Sequence, residues 1–303
     1  MSATIVILGS SAATPTNDRS LSAHLLETEG HSLLFDCAEG TQFQLKRFGR
    51  KNHRIQAIFI SHLHGDHFFG LPGLISSMNL SDRTNPLQVF GAEGLQQAVD
   101  LYLQLSETRL KFPIEFVVLT HQTKMKIYES DNYEVFAFPL KHRITTYGYL
   151  WQQKPLLLNV NKEFVRMQNP ALEWFTRIKQ GEDYVDEQGI VFPNHLITES
   201  AKKANSYAYC SDTAYFEELA DWVKGVSLLY HESTFLEVNQ EDAIQKFHST
   251  AKQAASIARL ADADRLLLGH FSARYKDVQL FKEEAEVEFA DVILAVDGME
   301  IDF

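Results

Sequence analysis

Cysteine is almost absent: Cys37 and Cys210 are the only two in 303 residues, and both sit in or beside short apolar runs. Such a pair reads as two buried thiols rather than a disulfide, which fits a reducing cytoplasm and excludes a disulfide-stapled secreted scaffold. No apolar stretch approaches the ~20 residues that span a bilayer, so no membrane-embedded role is expected. The opening residues Met1-Ser2-Ala3-Thr4 lack the basic, apolar layout of a signal peptide and lead straight into a strand-like run. Internal repeats, low-complexity tracts and long flexible linkers are missing as well. Basic charge is in short supply, since 28 Lys and Arg stand against 40 Asp and Glu for a net −12. That balance argues against tight nonspecific binding of nucleic acid, although a local groove can carry the opposite sign. Lys46, Arg47, Arg50, Lys51 and Arg54, a run without an acid, come nearest to such a patch.

What is present is a 45% hydrophobic chain long enough to bury one large core. Its most telling segment is His62-Leu63-His64-Gly65-Asp66-His67, directly behind the apolar run Ala57-Ile58-Phe59-Ile60. Imidazole nitrogen and carboxylate oxygen are the ligands of zinc sites that stay partly open for catalysis. Gly65 permits a sharp turn, so His62 and His64 can face one metal while Asp66 and His67 face another. The loop cannot fill such a site alone. Elsewhere short apolar runs repeatedly end in His or Asp: Asp36, His142, Asp212, His231-Glu232, His270 and Asp297. Runs this short and apolar read as strands buried on both faces, whose ends can converge on one rim of a sheet.

Helical patterns over 40–48, 71–80, 94–105, 250–260 and 278–289 interleave strand-like runs, which fall into two sets, roughly 5–142 and 207–303. Between them, 151–205 carries Pro155, Pro170, Gly181, Gly189 and Pro193 and reads as an insertion.

HLHGDH, FDCAEGTQ (35–42), Gly269-His270 and AVDG (295–298) resemble the metallo-β-lactamase superfamily. GSSAATPT (9–16), GLPGL (70–74), YCSDT (209–213), HEST (231–234), HSTAKQAA (248–255) and GHFSARY (269–275) narrow the likeness to the ribonuclease Z family of tRNA 3′-end processing endonucleases. The resemblance runs over nearly the whole chain. It implies an α/β fold: a four-layer αβ/βα sandwich forming a single domain over 1–303, with 151–205 as a protruding, flexible arm that grips tRNA. The family's Gly-Pro-rich turn is replaced here by Asn169-Pro170-Ala171, and the segment holds seven basic and seven acidic residues. In the first loop Arg19 is kept, while Asn17 stands where many members have lysine.

The resemblance further implies two Zn2+ per chain. His62, His64 and His142 would hold one, Asp66, His67 and His270 the other, and Asp212 would bridge them. Asp66 would also take the proton of the attacking water. His248 would protonate the leaving group, oriented by Glu232. Asp36, His231 and Asp297 would support the ligands from behind, and Arg19 and Arg274 would contact substrate. The implied reaction removes the 3′ trailer of precursor tRNA in the cytoplasm, leaving a 3′-hydroxyl on the tRNA and a 5′-phosphate on the trailer, by a homodimer. The alternative is another phosphodiesterase of the same fold, acting on small or other RNA substrates. A di-iron oxidoreductase is disfavoured, because that family has glutamate where His64 stands and carries a flavin domain for which no residues remain.

Overall fold

Alternation along the strands builds the layers. Thr4–Gly9 turns Ile5 and Ile7 into one apolar cluster and Val6 and Leu8 into another, and Ser206–Cys210 likewise splits Tyr207 and Tyr209 from Ala208 and Cys210. Strands buried on both faces demand cover on both. In the computed structural model, which describes residues 3–28, 30–199 and 203–303, two seven-stranded sheets meet that demand. The first runs in the order Glu300–Asp302, Thr4–Gly9, Ala23–Glu27, Ser32–Phe35, Ile55–Phe59, Leu87–Gly91, Ile114–Val118. The second runs Val292–Leu294, Leu266–Gly269, Leu228–Glu232, Ser206–Cys210, Thr146–Gln153, Tyr133–Leu140, Met125–Glu129. A cluster rich in aromatic rings fills the space between them, with Phe35, Phe59 and Phe90 from one sheet against Tyr149, Tyr207, Tyr209 and Tyr230 from the other.

Helices cover the outer faces. Leu71–Leu80 and Leu95–Leu105 press Leu74, Ile75, Met78 and Val99 on the first sheet, and Ala251–Leu260 and Gln279–Ala285 press Ala254, Ile257, Ala258 and Phe281 on the second. Thr250 and Gln253 form a full capping box at the start of Ala251–Leu260, fixing the segment that carries His248. Sheets and helices thus stack in the four layers that the resemblance implies. Cys37 and Cys210 are both free, buried thiols in different clusters.

The sheets do not follow the two sets into which the sequence divides its strands. Met125–Glu129 and Tyr133–Leu140 of the first set join the second sheet beside Thr146–Gln153, which lies outside both sets, and Glu300–Asp302 returns to pair with Thr4–Val6 in the first. A period-2 pattern says which residues face a core; it does not say which partner lies alongside.

The chain divides into two compact units: the sequence up to Trp151 with Asn205–Phe303, and Gln152–Ala204. The second has helices Lys162–Gln168 and Leu172–Lys179, two short strand pairs, and a core of Phe164, Ile178, Tyr184 and Ile197. Asn169 ends its first helix at φ 41°. Asparagine tolerates that left-handed geometry, so it can stand where glycine would otherwise be needed.

Candidate metal centre

Polar residues gather where strands end. Asp36 follows Ser32–Phe35, the HLHGDH loop follows Ile55–Phe59, and His142 follows Tyr133–Leu140; Asp212 and His270 follow strands of the second sheet. Asp36 and His270 hold positive φ angles of 57° and 58°. Such conformations are uncommon in non-glycine residues and cluster at functional sites.

The ligand atoms fall into two groups. His64 Nδ1 lies 2.9 Å from His62 Nε2 and 3.3 Å from His142 Nε2, while Asp212 Oδ2 is 3.6 and 3.8 Å from those two Nε2 atoms. In the other group Asp212 Oδ1 is 3.3 Å from His67 Nε2 and 3.2 Å from His270 Nε2, and Asp66 Oδ2 is 3.6 Å from each. Donors on a tetrahedral ion with bonds of ~2.0–2.1 Å sit ~3.3 Å apart, so both spacings fit. His67 Nε2, His270 Nε2 and Asp212 Oδ1 are buried without a hydrogen-bond partner among the described residues. Orphaned polar atoms of this kind are costly unless something binds them. The arrangement is a His/Asp metal-binding cluster in two halves, with one oxygen of Asp212 in each.

Hydrogen bonds behind the ligands fix their tautomers. Asp36 Oδ2 accepts from His67 Nδ1 at 2.7 Å, from Tyr209 at 2.8 Å and from Ser61 Oγ at 2.9 Å. Ser61 has spent its hydroxyl proton there, so it accepts from His62 Nδ1 at 2.9 Å. His142 Nδ1 donates to the Phe247 carbonyl at 2.9 Å, and His270 Nδ1 lies 2.8 Å from Thr234 Oγ1. Each of these four rings therefore keeps its Nε2 lone pair for a metal.

Charge agrees. Burial, and then the charge of His67, hold His62 well below the usual imidazole range; burial also lowers His64 and His142, so these three rings are neutral and free to donate to a metal. Burial opposes charge on His67 too, but Asp212, Asp66 and Asp36 outweigh it and raise its pKa well above normal. A metal cation bound there would displace that proton. Burial works against ionisation of Asp66 and Asp212, and the surrounding imidazoles overcome it, leaving both carboxyls far below their usual range.

His248 sits beside the cluster, its Nε2 4.0 Å from Asp212 Oδ2 and its Nδ1 donating to Glu232 Oε1 at 2.9 Å. Burial lowers its pKa, but Glu232 and Asp212 more than compensate and lift it to about 9. A cleft of about 520 Å3 opens over Asp66, Asp212, His248 and His270, and Phe69, Arg143, Lys246 and Arg274 also line it.

Some expected residues go elsewhere. Asp297 accepts from Ser10 Oγ at 2.8 Å and from the Ser20 amide at 2.7 Å, so it pins the first loop rather than a ligand. His231 Nδ1 donates to the Glu232 carbonyl, so that ring does not buttress a ligand imidazole directly either. Arg19 donates to the Tyr275 carbonyl and lines a separate hollow, whereas Arg274 borders the cleft, paired with Asp242. The basic run lies outside the cleft lining; Arg50 pairs with Glu27 and Glu300. Sequence reasoning missed Ser61, Thr234, the Phe247 carbonyl and the cleft cations Arg143 and Lys246. It also missed Ala13, which at φ 59° donates its amide to Asp66 Oδ2 at 2.7 Å. Ser61 and Thr234 adjoin or end motifs and could have been found; a backbone group leaves no mark in composition.

Residues 3–165 match the family model described as Anti-Pycsar protein Apyc1. That match stops short of Asp212, Glu232, His248 and His270. Similarity to curated proteins covers far more: the chain is 44% identical over 297 residues to ribonuclease Z of Cytophaga hutchinsonii, spanning 97% of this chain and 94% of that one. It is 40% identical over 300 residues to ribonuclease Z of Porphyromonas gingivalis, spanning 98% and 97%. Among solved structures, the short form of human tRNase Z superposes with a TM-score of 0.71 at 28% identity, covering 98% of each chain. The metallo-β-lactamase fold protein YhfI of Bacillus subtilis gives 0.70 at 16% identity, covering 100% and 99%, and speaks for the fold alone.

Proposed function

Since the chain belongs to the ribonuclease Z family of the metallo-β-lactamase superfamily, we propose that it is a zinc-dependent endoribonuclease that cuts the 3′ trailer from precursor tRNA. The carrying observation is that both halves of the metal cluster and the His248–Glu232 pair meet at one cleft. Five imidazoles and two carboxylates suit zinc. His62, His64 and His142 would hold one ion and Asp66, His67 and His270 the other, with Asp212 available to both. Bound there, two such ions lower the pKa of water and draw charge from the phosphate oxygens.

The chain's own groups do the rest. Asp66 accepts the proton of the attacking water, whose oxygen bonds to phosphorus. The bond from phosphorus to the 3′-oxygen breaks, and His248 gives that oxygen its proton. The tRNA leaves with a 3′-hydroxyl and the trailer with a 5′-phosphate. Against burial, Glu232 and Asp212 raise the pKa of His248 to about 9, so the ring carries the proton that the 3′-oxygen takes. Glu232 keeps its Nδ1 side fixed so that Nε2 faces the cleft. Arg143, Lys246 and Arg274 border the cleft and offset phosphate charge locally, despite the net −12. Residues 151–205 form the arm that holds the body of the tRNA, and the working unit is a cytoplasmic homodimer. Among the described residues no helix is long and apolar enough to cross a membrane.

The test is to incubate the zinc-loaded protein with a 3′-extended tRNA precursor and map both product ends. Cleavage near the tRNA 3′ end with a 5′-phosphorylated trailer is expected. Hydrolysis of small diesters without cleavage of the precursor would point to the other phosphodiesterase reading.

A further inference from the structure

Glu232 is wholly buried, yet its two oxygens face different tasks. Oε1 accepts from His248 Nδ1 at 2.9 Å, from the Ser249 amide at 3.0 Å and from the Thr213 amide at 3.2 Å. Oε2 accepts from Thr234 twice, from its amide at 2.8 Å and from its hydroxyl at 2.7 Å. A hydroxyl has one proton, and an ionised carboxylate only accepts. With that proton committed to Glu232, Thr234 Oγ1 accepts from His270 Nδ1 at 2.8 Å, which leaves His270 Nε2 as the bare lone pair aimed at Asp212 and Asp66.

We infer that Thr234 is a positioning residue through which Glu232, the anchor of the acid His248, also fixes His270 as a ligand of the second metal. The carboxylate polarises the hydroxyl, the hydroxyl sets tautomer and ring orientation, and the ring keeps its donor pointed at the ion. The hydroxyl also lies 3.2 Å from His248 Nδ1, but that ring's shorter bond, 2.9 Å, goes to Glu232 Oε1, and three amides still hold Glu232 when the hydroxyl is gone, so the acid depends on Thr234 less. Thr234 therefore acts on metal retention and His248 on leaving-group protonation, although one carboxylate serves both.

The catalytic arm of this inference rests on the metallohydrolase reading; the metal arm does not. The test is zinc titration of Thr234→Val, which keeps the side chain's shape, alongside Thr234→Ser, which keeps the hydroxyl. Thr234→Ala replaces the valine variant should valine not fold in this buried position. Loss of the hydroxyl should weaken one of the two zinc sites by ~10–100-fold, the usual worth of such a partner, and leave the other unchanged. Thr234→Ser should bind both ions within about threefold of the wild type. Without metal, Thr234→Val should melt below the wild type, because His270 Nδ1 and Glu232 Oε2 each lose a buried partner, but a merely structural role would not confine the loss of zinc to one site. With zinc in excess, Thr234→Val should recover most hydrolysis of bis(p-nitrophenyl) phosphate. Wild-type affinity at both sites in Thr234→Val, or a serine variant as impaired as valine, overturns the inference. Weakened zinc binding in a protein that cuts no precursor tRNA would sink the proposed substrate and leave the role of Thr234 standing.

Discussion

The two compact units differ most in what their polar residues do. In the large unit Asp36, Glu232, His62, His67 and His270 are buried, and each has a side-chain hydrogen bond that fixes its orientation. In Gln152–Ala204 a buried polar residue holds the backbone instead: the Asn194 amide donates to the Ile178 and Glu182 carbonyls. Apolar groups lie open there, Met167, Leu172 and Leu196 among them. One unit ties its polar side chains down with buried contacts; the other has a small core and exposed apolar side chains. Under the proposed function the first carries the chemistry and the second the recognition of a large substrate, tasks that need different rigidity.

The hardest blow to that division should fall on the ligands. Asp66→Ala removes a ligand and the proposed base together and should abolish every hydrolysis, while His270→Ala should lose about one metal per chain and nearly all cleavage. Elemental analysis with both assays checks this, and normal turnover at full metal would strike either residue from the site. Next comes His248→Ala. It should slow cleavage of precursor tRNA by ~10²–10⁴-fold, the usual worth of a general acid. Bis(p-nitrophenyl) phosphate, whose leaving group departs unprotonated, should suffer far less, with metal content unchanged. Equal losses on both substrates would move the acid elsewhere.

A smaller effect would break the comparison from the other side. Replacing 159–199 by a short Gly/Ser linker should reduce precursor cleavage by about 10–100-fold, mainly through KM, and spare the small diester. Loss of both activities in a folded variant would mean that the insertion also builds the active site.

The gentlest probe is acid. His24 is buried in the large unit, 2.7 Å from the Tyr207 hydroxyl, and burial depresses its pKa to about 3; His195 of the insertion is exposed. Between the unfolded value of 6.5 and about 3, the unfolded chain binds the extra proton. Stability of the large unit should thus fall as pH drops below about 6.5, by up to ~1.4 kcal/mol per pH unit from this group. Urea unfolding of His24→Gln against the wild type from pH 7 to 5 measures it; identical slopes would assign the loss to other groups.

Much of the cleft was legible because its ligands are rare residue types at the ends of apolar runs. Asp212 and Asp297 show where that reading stops. Both follow such runs, yet one faces the imidazoles of the cluster and the other ties down the Ser10–Ser20 loop, a difference made by tertiary placement. Ala13 and Phe247 act through backbone atoms, which every residue has, so spacing cannot single them out. The four-layer stacking came from the family resemblance, while strands could be read from short apolar runs and helices from their period. The sheet membership of Met125–Glu129 and Glu300–Asp302 could not, because pairing is settled between segments far apart in the chain.

The pairing of Asn159–Val160 with Thr198–Glu199 bears on how such an insertion can be carried at all. Thr146–Gln153 and Ser206–Cys210 are neighbours in the second sheet, and bringing them together means closing the loop between them. Were those fifty-odd residues a free coil, the entropic cost would grow with their whole length. Because the insertion clasps its own two ends, the sheet feels a loop of only about a dozen residues, about two halvings of the length, which relieves ~1 kcal/mol. The same clasp makes 159–199 a self-contained cassette, open to exchange for a longer or shorter one without disturbing the order of the strands on either side.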